Sequence, residues 1–504
     1  MTDIRVRFAP SPTGYVHIGG LRTALYNYLF ARKHDGIFVL RIEDTDRARY
    51  VEGATENLIE VLKWAGLLPD EGPVNGGPFS PYFQSQRTQF YRKAAEQLIE
   101  SRRAYYAFDT PEELQAMRER LRSREDPNPR YNASIRGMMR NGLTMSAREV
   151  DSALHGGTPY VIRLFIPENR RISVKDVIRG EVHFDSREVD DQVLIKSDGY
   201  PTYHLANVVD DHMMEISHVI RGEEWLSSVP KHLLLYEALG WKPPVFAHLP
   251  LISNPDGSKM SKRDITSIDG SSSGKVDPDV ASYLRRGYEK EALLNYIALL
   301  GWNPGEGDER QVFKLDELIG AFSLKRVNKA AAIFDRIKLD WLNAEHLKTE
   351  ETGKLIVRLK PGLAKLRWPE VSDLYLGRVI ELMKSRLHFF DDFFQYADYF
   401  FIDPERYDQA VVKKRWKDDS AKLLLEFCDE ISKLNLYCAE ALEETLRKLA
   451  EKHDVGGGRI IHPVRLAVSG VGVGPSLFEM LEVLGKERVT RRLRRGAEEI
   501  PKLR

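Results

Sequence analysis

The chain has 504 residues and balances 75 Lys plus Arg against 75 Asp plus Glu, for a net charge of +0. That length exceeds a single hydrophobic core and predicts several domains. With 42% hydrophobic and 30% charged residues the chain is not disordered, and its even charge confines any polyanion binding to local patches.

At the N-terminus "MTDIRVRFAP" lacks the basic, apolar and small-residue order of a signal peptide. Ile4, Val6 and Phe8 alternate with Arg5 and Arg7, which predicts a strand. A turn-rich segment follows, and then Leu21, Leu25 and Leu29 mark one face of a helix that Gly36 is expected to end. "IFVLRI", Ile37 to Ile42, reads as a second strand, with "EDTD" directly after it. Strand, helix and strand in this span predict a βαβ unit of a parallel sheet. Ligands bind beyond the carboxyl ends of such strands, a rule that sets Ala9 to Ser11 and Glu43 on one rim. His17, Gly19 and Gly20 fall at the helix N-terminus, where free N–H groups attract phosphate. The spacing matches neither a dinucleotide fingerprint nor a Walker loop.

From 96 to 196 short mixed strands ("TPYVIRLFIP", "EVHFDSREV") and a polar stretch, "RSREDPNPRYNASIRG", predict an inserted domain with a surface loop. The α/β pattern then resumes with "YPTYHLANVVDD" and a strand through Ile216, Val219 and Ile220. This leaves Arg221, Glu224 and Trp225 just past a strand, and a helix follows that ends at Gly240. Pro255, Asp256 and Gly257 predict a turn, and the cations Lys259, Lys262 and Arg263 come next in "KMSKRD". No apolar run approaches the ~18 residues of a membrane helix. After Trp341 the pattern is almost wholly helical, with basic runs at "VVKKRWK" and "ERVTRRLRRG" and a third group in Arg459, His462 and Arg465. Cys428 and Cys438, the two cysteines, form no zinc or disulfide framework and are expected in the core. A reducing, cytoplasmic location is therefore expected.

"SPTGYVHIGG" resembles the HIGH region of class I aminoacyl-tRNA synthetases, here Pro10, Ser11, Pro12, Thr13, Gly14, Tyr15, Val16, His17, Ile18, Gly19 and Gly20. "KMSKR" resembles their KMSKS loop, here Lys259, Met260, Ser261, Lys262 and Arg263. With "RIEDTDRARYVEGA", "VIRGEEWLSSVPKH", "AAIFDRIKLDWLN" and "GRIIHPVRLAVSG" in family order, the chain resembles bacterial-type glutamyl-tRNA synthetases.

The resemblance implies a Rossmann-like α/β catalytic domain in two halves, 1–95 and 197–244. It implies an inserted acceptor-binding domain, 96–196, a stem-contact domain, 245–340, and an α-helical anticodon-binding region, 341–504. The implied substrates are L-glutamate, ATP with Mg²⁺, and tRNA(Glu), handled by a cytoplasmic monomer that needs no membrane. By matching position, Arg7, Ala9, Ser11, Glu43, Tyr203, Asn207 and Arg221 would contact glutamate. His17, Gly19, Gly20, Glu224, Trp225, Lys259, Lys262 and Arg263 would contact ATP, with His17 and Lys262 contributing most to rate. The residue types agree, because two carboxylates and one ammonium call for two guanidinium groups and one carboxylate. Glutamine would leave one arginine unmatched, a loss of roughly 2–5 kcal/mol by analogy with broken charge pairs. Two departures stand out: Gly20 replaces the second histidine of the HIGH region, and "RAYYAFDTPEEL" carries no cysteine, so no zinc is expected.

Overall fold

The computed structural model describes residues 3–124, 126–258, 260 and 276–503. The chain folds as two units, residues 1–286 with 293–335, and residues 287–292 with 336–504.

The first unit is built on four parallel strands: β1 (Arg5–Phe8), β2 (Ile37–Leu40), β8 (His218–Gly222) and β9 (Val245–Leu249), in the order β2-β1-β8-β9. The predicted βαβ unit is present, with α1 (Ile18–Lys33) joining β1 to β2. Leu21, Leu25 and Leu29, the expected inner face of α1, are fully buried. Gly36 does not cap α1, whose last turn closes through His34, while Asp35 adopts φ 49°. Gly36 is glycine because a Cβ there would lie 2.5 Å from the carbonyl oxygen of Ile4.

Between β2 and β8 run α2 (Ala54–Ala65), α3 (Thr88–Glu100), β3 (Ala104–Ala107), α4 (Pro111–Leu121), α5 (Ala133–Arg136), α6 (Ala147–His155), β4 (Val161–Leu164), β5 (Arg171–Asp176), β6 (Gly180–Asp185), β7 (Val193–Ile195) and α7 (Tyr203–Met213). The mixed strands expected here form an antiparallel sheet, β3-β4-β7, and a hairpin, β5-β6. The polar stretch is a loop only in part, since Tyr131, Ile135 and Arg136 are buried and α5 interrupts it. α8 (Val229–Leu239) joins β8 to β9 and ends, as its sequence predicts, at Gly240 with φ 72°. Val219, Leu205, Val208, Leu234 and Phe246 share one core on the sheet.

The second unit is helical, and among its described residues no strand occurs. One core runs through it, from Leu347 through Phe400, Phe427 and Leu466 to Leu493. Cys428 belongs to this core, whereas Cys438 is only half-buried and stands at the N-cap of the helix Ala439–Lys452.

Candidate active site

The chain leaves β1 for β2 on one side and enters β8 and β9 on the other, so the sheet has its topological switch point between β1 and β8. A crevice opens beyond the carboxyl ends of strands at such a point. Arg7 lies one residue from the end of β1, and Arg221 lies within β8, not after it as the apolar pattern suggests.

The loop after β1 is braced from several sides. The N–H groups of Arg41 and Glu43 donate to the carbonyls of Phe8 and Pro10 at 3.0 Å each, which extends the β1–β2 pairing and sets Ala9 opposite Arg41 and Ser11 opposite Glu43. The N–H of Val51 donates to Pro12 O at 3.0 Å, and that of Val16 to Asn57 Oδ1 at 3.1 Å. Ser11, Thr13 and Tyr15 are exposed, and the loop encloses a cavity of about 260 Å³ with Phe8, Ala54 and Leu58.

His17 is the N-cap of α1, where its Nδ1 accepts from the N–H of Gly20 at 3.1 Å. With Nδ1 an acceptor, the neutral ring carries its proton on Nε2, a donor suited to a phosphate oxygen. A Cβ at Gly19 would stand 3.1 Å from the imidazole and press the ring away from this position. The helix terminus offers fewer free donors than its sequence implies. The N–H of Ile18 donates to Pro278 O at 2.8 Å and that of Gly20 is taken by His17, which leaves Gly19.

A buried charge network occupies the β1–β2 side. The Arg7 Nε and Nη2 donate to both oxygens of Asp211, at 3.0 and 3.2 Å. Arg41, fully buried, donates to Asp211 at 2.8 Å and to Glu43 at 3.1 Å. Asn207 donates to the same Glu43 oxygen at 3.1 Å. Burial pushes the Glu43 carboxyl above its ordinary value, against the pull of Arg41 and Arg7. For Asp211 burial acts the same way, but Arg7 and Arg41 outweigh it and hold the carboxyl below its ordinary value.

Arg221 differs. It is 5% exposed, and its Nε donates to His248 Nε2 at 3.1 Å, Nη1 to the Tyr203 hydroxyl at 2.7 Å, and Nη2 to the Trp225 carbonyl at 3.3 Å. All three acceptors are neutral, and among the described residues no carboxylate lies within ion-pair distance. Burying an unpaired charge is costly, so this guanidinium is prepared for an anion. Tyr203 packs against Trp225 with ring centroids 4.4 Å apart, and burial pushes its hydroxyl up to about 12. Its hydroxyl feels the charges of Arg221, Glu43 and Arg7 together. Tyr203 and Asn207 stand one turn apart on α7, so one helix face joins the two arginines' surroundings. Behind it His204 and His232 share a hydrogen bond of 3.1 Å, and burial lowers both, His204 to about 3.

Glu224 and Trp225 lie on a short 3₁₀ helix, Glu223–Ser228, and are exposed. The predicted turn before the KMSKR segment is present, with Gly257 at φ 80°. Met260 is half-buried, and Lys259, Ser261, Lys262 and Arg263 lie outside the described residues. Among the described residues no three His, Cys, Asp or Glu side chains converge as they would to hold a metal ion. Sequence reasoning missed Arg41, Asp211, Asp176 and His248. The available signals were the paired acids of "VVDDH" on a helix otherwise apolar at that point, and a histidine inside the strand "VFAHL".

In the helical unit the basic runs divide. Lys413, Lys414, Arg415 and Lys417 are exposed. The other run, on the helix Lys486–Glu499, is largely consumed internally: Arg492 is 1% exposed and donates to Asp403 and to the carbonyls of Tyr399, Val468 and Ile402. Arg488 and Arg495 likewise bind backbone carbonyls, of Phe400 and Pro404. Arg459 pairs with Asp419, and Arg465 is half-buried and donates to Pro475 O at 2.8 Å.

A parallel sheet with this crevice, followed by a helical unit, matches two known families in sequence. Residues 3–341 match the class I tRNA synthetase (E and Q) catalytic domain, and residues 346–497 match an anticodon-binding domain. The chain belongs to the class I tRNA synthetases of the E and Q type, within the glutamate–tRNA ligases. It is 50% identical to the glutamate–tRNA ligase of Chloroherpeton thalassium, over 99% of this chain and 98% of that one. To the ligase of Chlorobaculum parvum it is 49% identical, again over 99% and 98%. A crystal structure of a glutamate tRNA ligase from Elizabethkingia meningosepticum, in complex with its amino acid, superposes with a TM-score of 0.89 at 42% identity, covering 99% of this chain and all (100%) of that one. The synthetase of Elizabethkingia anophelis gives 0.85 at 42% identity, covering 98% and 100%.

Proposed function

We propose that the chain activates L-glutamate with ATP to glutamyl-adenylate, releasing pyrophosphate. The glutamyl group then passes to the 3'-terminal adenosine of tRNA(Glu) for protein synthesis. The observation that carries this reading is Arg221, a buried guanidinium with only neutral partners beside a rim that already holds Arg7, Glu43 and Asn207. One glutamate carboxylate binds Arg221, the other the Arg7 side, and the ammonium binds Glu43, with Ala9, Ser11 and Tyr203 shaping the pocket. His17 donates from Nε2 to the nucleotide phosphates, aided by Gly19, Gly20, Glu224 and Trp225. Lys259, Lys262 and Arg263 neutralise the departing pyrophosphate. Both steps are displacements that depend on placement and charge neutralisation, and no protein nucleophile is required. Mg²⁺ bound with ATP would supply further charge neutralisation.

The exposed Lys413, Lys414, Arg415 and Lys417 supply phosphate contacts for the tRNA, which fix position without choosing sequence. The same reading assigns the acceptor end to 96–196, the stem to 245–340 and the anticodon to 341–504, in a cytoplasmic monomer without a zinc site.

The test is aminoacylation of purified tRNA(Glu) and tRNA(Gln) at fixed salt. Glutamate transfer to tRNA(Glu) is expected, and transfer to neither would overturn the reading. Lys262→Ala should lower turnover by about 10²–10³ while changing the glutamate KM far less; unchanged turnover would remove Lys262 from the mechanism.

A further inference from the structure

Besides its bonds to Tyr203 and Trp225, Arg221 ends a chain of buried hydrogen-bonded groups. In the parallel ladder Arg221 and His248 are register partners on β8 and β9. His248 is fully buried, and its Nε2 accepts from Arg221 Nε at 3.1 Å, while its Nδ1 lies 2.7 Å from Asp176 Oδ2. Asp176 ends β5, on the hairpin inserted between the two halves of the sheet, and is 2% exposed.

The protonation pattern follows from the partners. Arginine can only donate, so Nε2 must be bare and the ring proton must sit on Nδ1, facing the carboxylate. Burial, ahead of the opposing pull of Asp176, keeps the ring below its ordinary value and so neutral. The other carboxylate oxygen, Oδ1, is already occupied by the N–H groups of Ile178 at 2.9 Å, Arg179 at 2.8 Å and His248 at 3.3 Å.

We infer that Asp176 and His248 are positioning residues for glutamate recognition: Asp176 fixes the His248 tautomer, and His248 Nε2 then aims the Arg221 guanidinium at the substrate carboxylate. This rests on the assignment of Arg221 to glutamate made above. The inserted hairpin thereby has a part in amino-acid selection through Asp176, which reaches Arg221 only by way of His248.

The relay makes an unusual demand on a near-isosteric change. In Asp176→Asn the three backbone N–H groups must keep the side-chain oxygen at the Oδ1 site, which turns the amide NH₂ toward His248. The ring must then accept at Nδ1 and carry its proton on Nε2, facing the Arg221 Nε–H. His248→Leu removes the acceptor, and His248→Gln restores one at the Nε2 position.

The test measures glutamate and ATP KM values and turnover in tRNA(Glu) aminoacylation for Asp176→Asn, His248→Leu, His248→Gln and Arg221→Met. Asp176→Asn and His248→Leu should raise the glutamate KM about 10–100-fold, the worth of one hydrogen bond to a charged group. The ATP KM should stay within about threefold, His248→Gln should recover most of the loss, and Asp176→Asn added to His248→Leu should cost nothing more. If Arg221→Met raises the glutamate KM while Asp176→Asn and His248→Leu do not, the relay is wrong and the assignment of Arg221 stands. If Arg221→Met leaves it unchanged, that assignment fails and takes the relay with it. Equal loss in the ATP and glutamate KM values would make the pair merely structural and also overturn the inference.

Discussion

Two buried arginines, one in each unit, differ in what surrounds the guanidinium, and that difference is what the proposed binding role of Arg221 rests on. Arg492, in the helical unit, uses four of its five N–H groups on a carboxylate at Nε and on three backbone carbonyls at Nη1 and Nη2. Arg221, on the parallel sheet, is also held through all three of its nitrogens, but with no negative charge among its partners. Burial is nearly the same, 1% and 5% exposed, so burial alone would not distinguish them. The missing counter-charge does.

The contrast can be broken by substitution. The largest stability effect belongs to Arg492→Met, which strands the three carbonyls and weakens the hold on Asp403. It should cost about 3 kcal/mol, the low end for a broken buried pair because Asp403 keeps Arg491, and leave the glutamate KM alone. Denaturant unfolding beside aminoacylation kinetics checks both halves. Arg7 is intermediate, since it is both paired and on the rim. Arg7→Met should lose roughly 1–3 kcal/mol, the cost of under-satisfying Asp211, and raise the glutamate KM as well. The Asp211 carboxyl is held below its ordinary value in the folded chain, so its contribution is complete above the usual carboxylate range and lost as pH falls. Acid titration of stability should therefore show a shallower fall in Arg7→Met than in the parent. The smallest effect is expected at Lys413 and Lys414, exposed and without a buried role. Replacing each with alanine should leave stability unchanged and reduce the salt slope of tRNA binding by about 0.7–0.9 for each phosphate no longer neutralised.

How much of this was legible depended on the distance over which residues act. The β1–α1–β2 unit and the helical unit are local periodicities, and both read directly from the spacing of apolar residues. Gly36 shows the first limit: its position after a helix suggests a cap, but the cause is a close approach of β1, which no local pattern records. The site shows the second. Arg7 and Glu43 were legible as a charge set, yet Asp211, 204 residues from Arg7, is what holds Arg7. Conversely, the run "ERVTRRLRRG" reads as a basic surface, because sequence shows charge and not the carbonyls that absorb it.

The most direct test of the account is glutamate binding to Arg221→Met by calorimetry, with thermal unfolding of the same sample. Losing a buried charge that has no counter-ion offsets the acceptors left on His248, Tyr203 and Trp225, so the melting temperature should fall far less than in Arg492→Met, while glutamate affinity should fall by the equivalent of roughly 2–5 kcal/mol. Unaltered affinity, or a loss of stability as large as that of Arg492→Met, would contradict it.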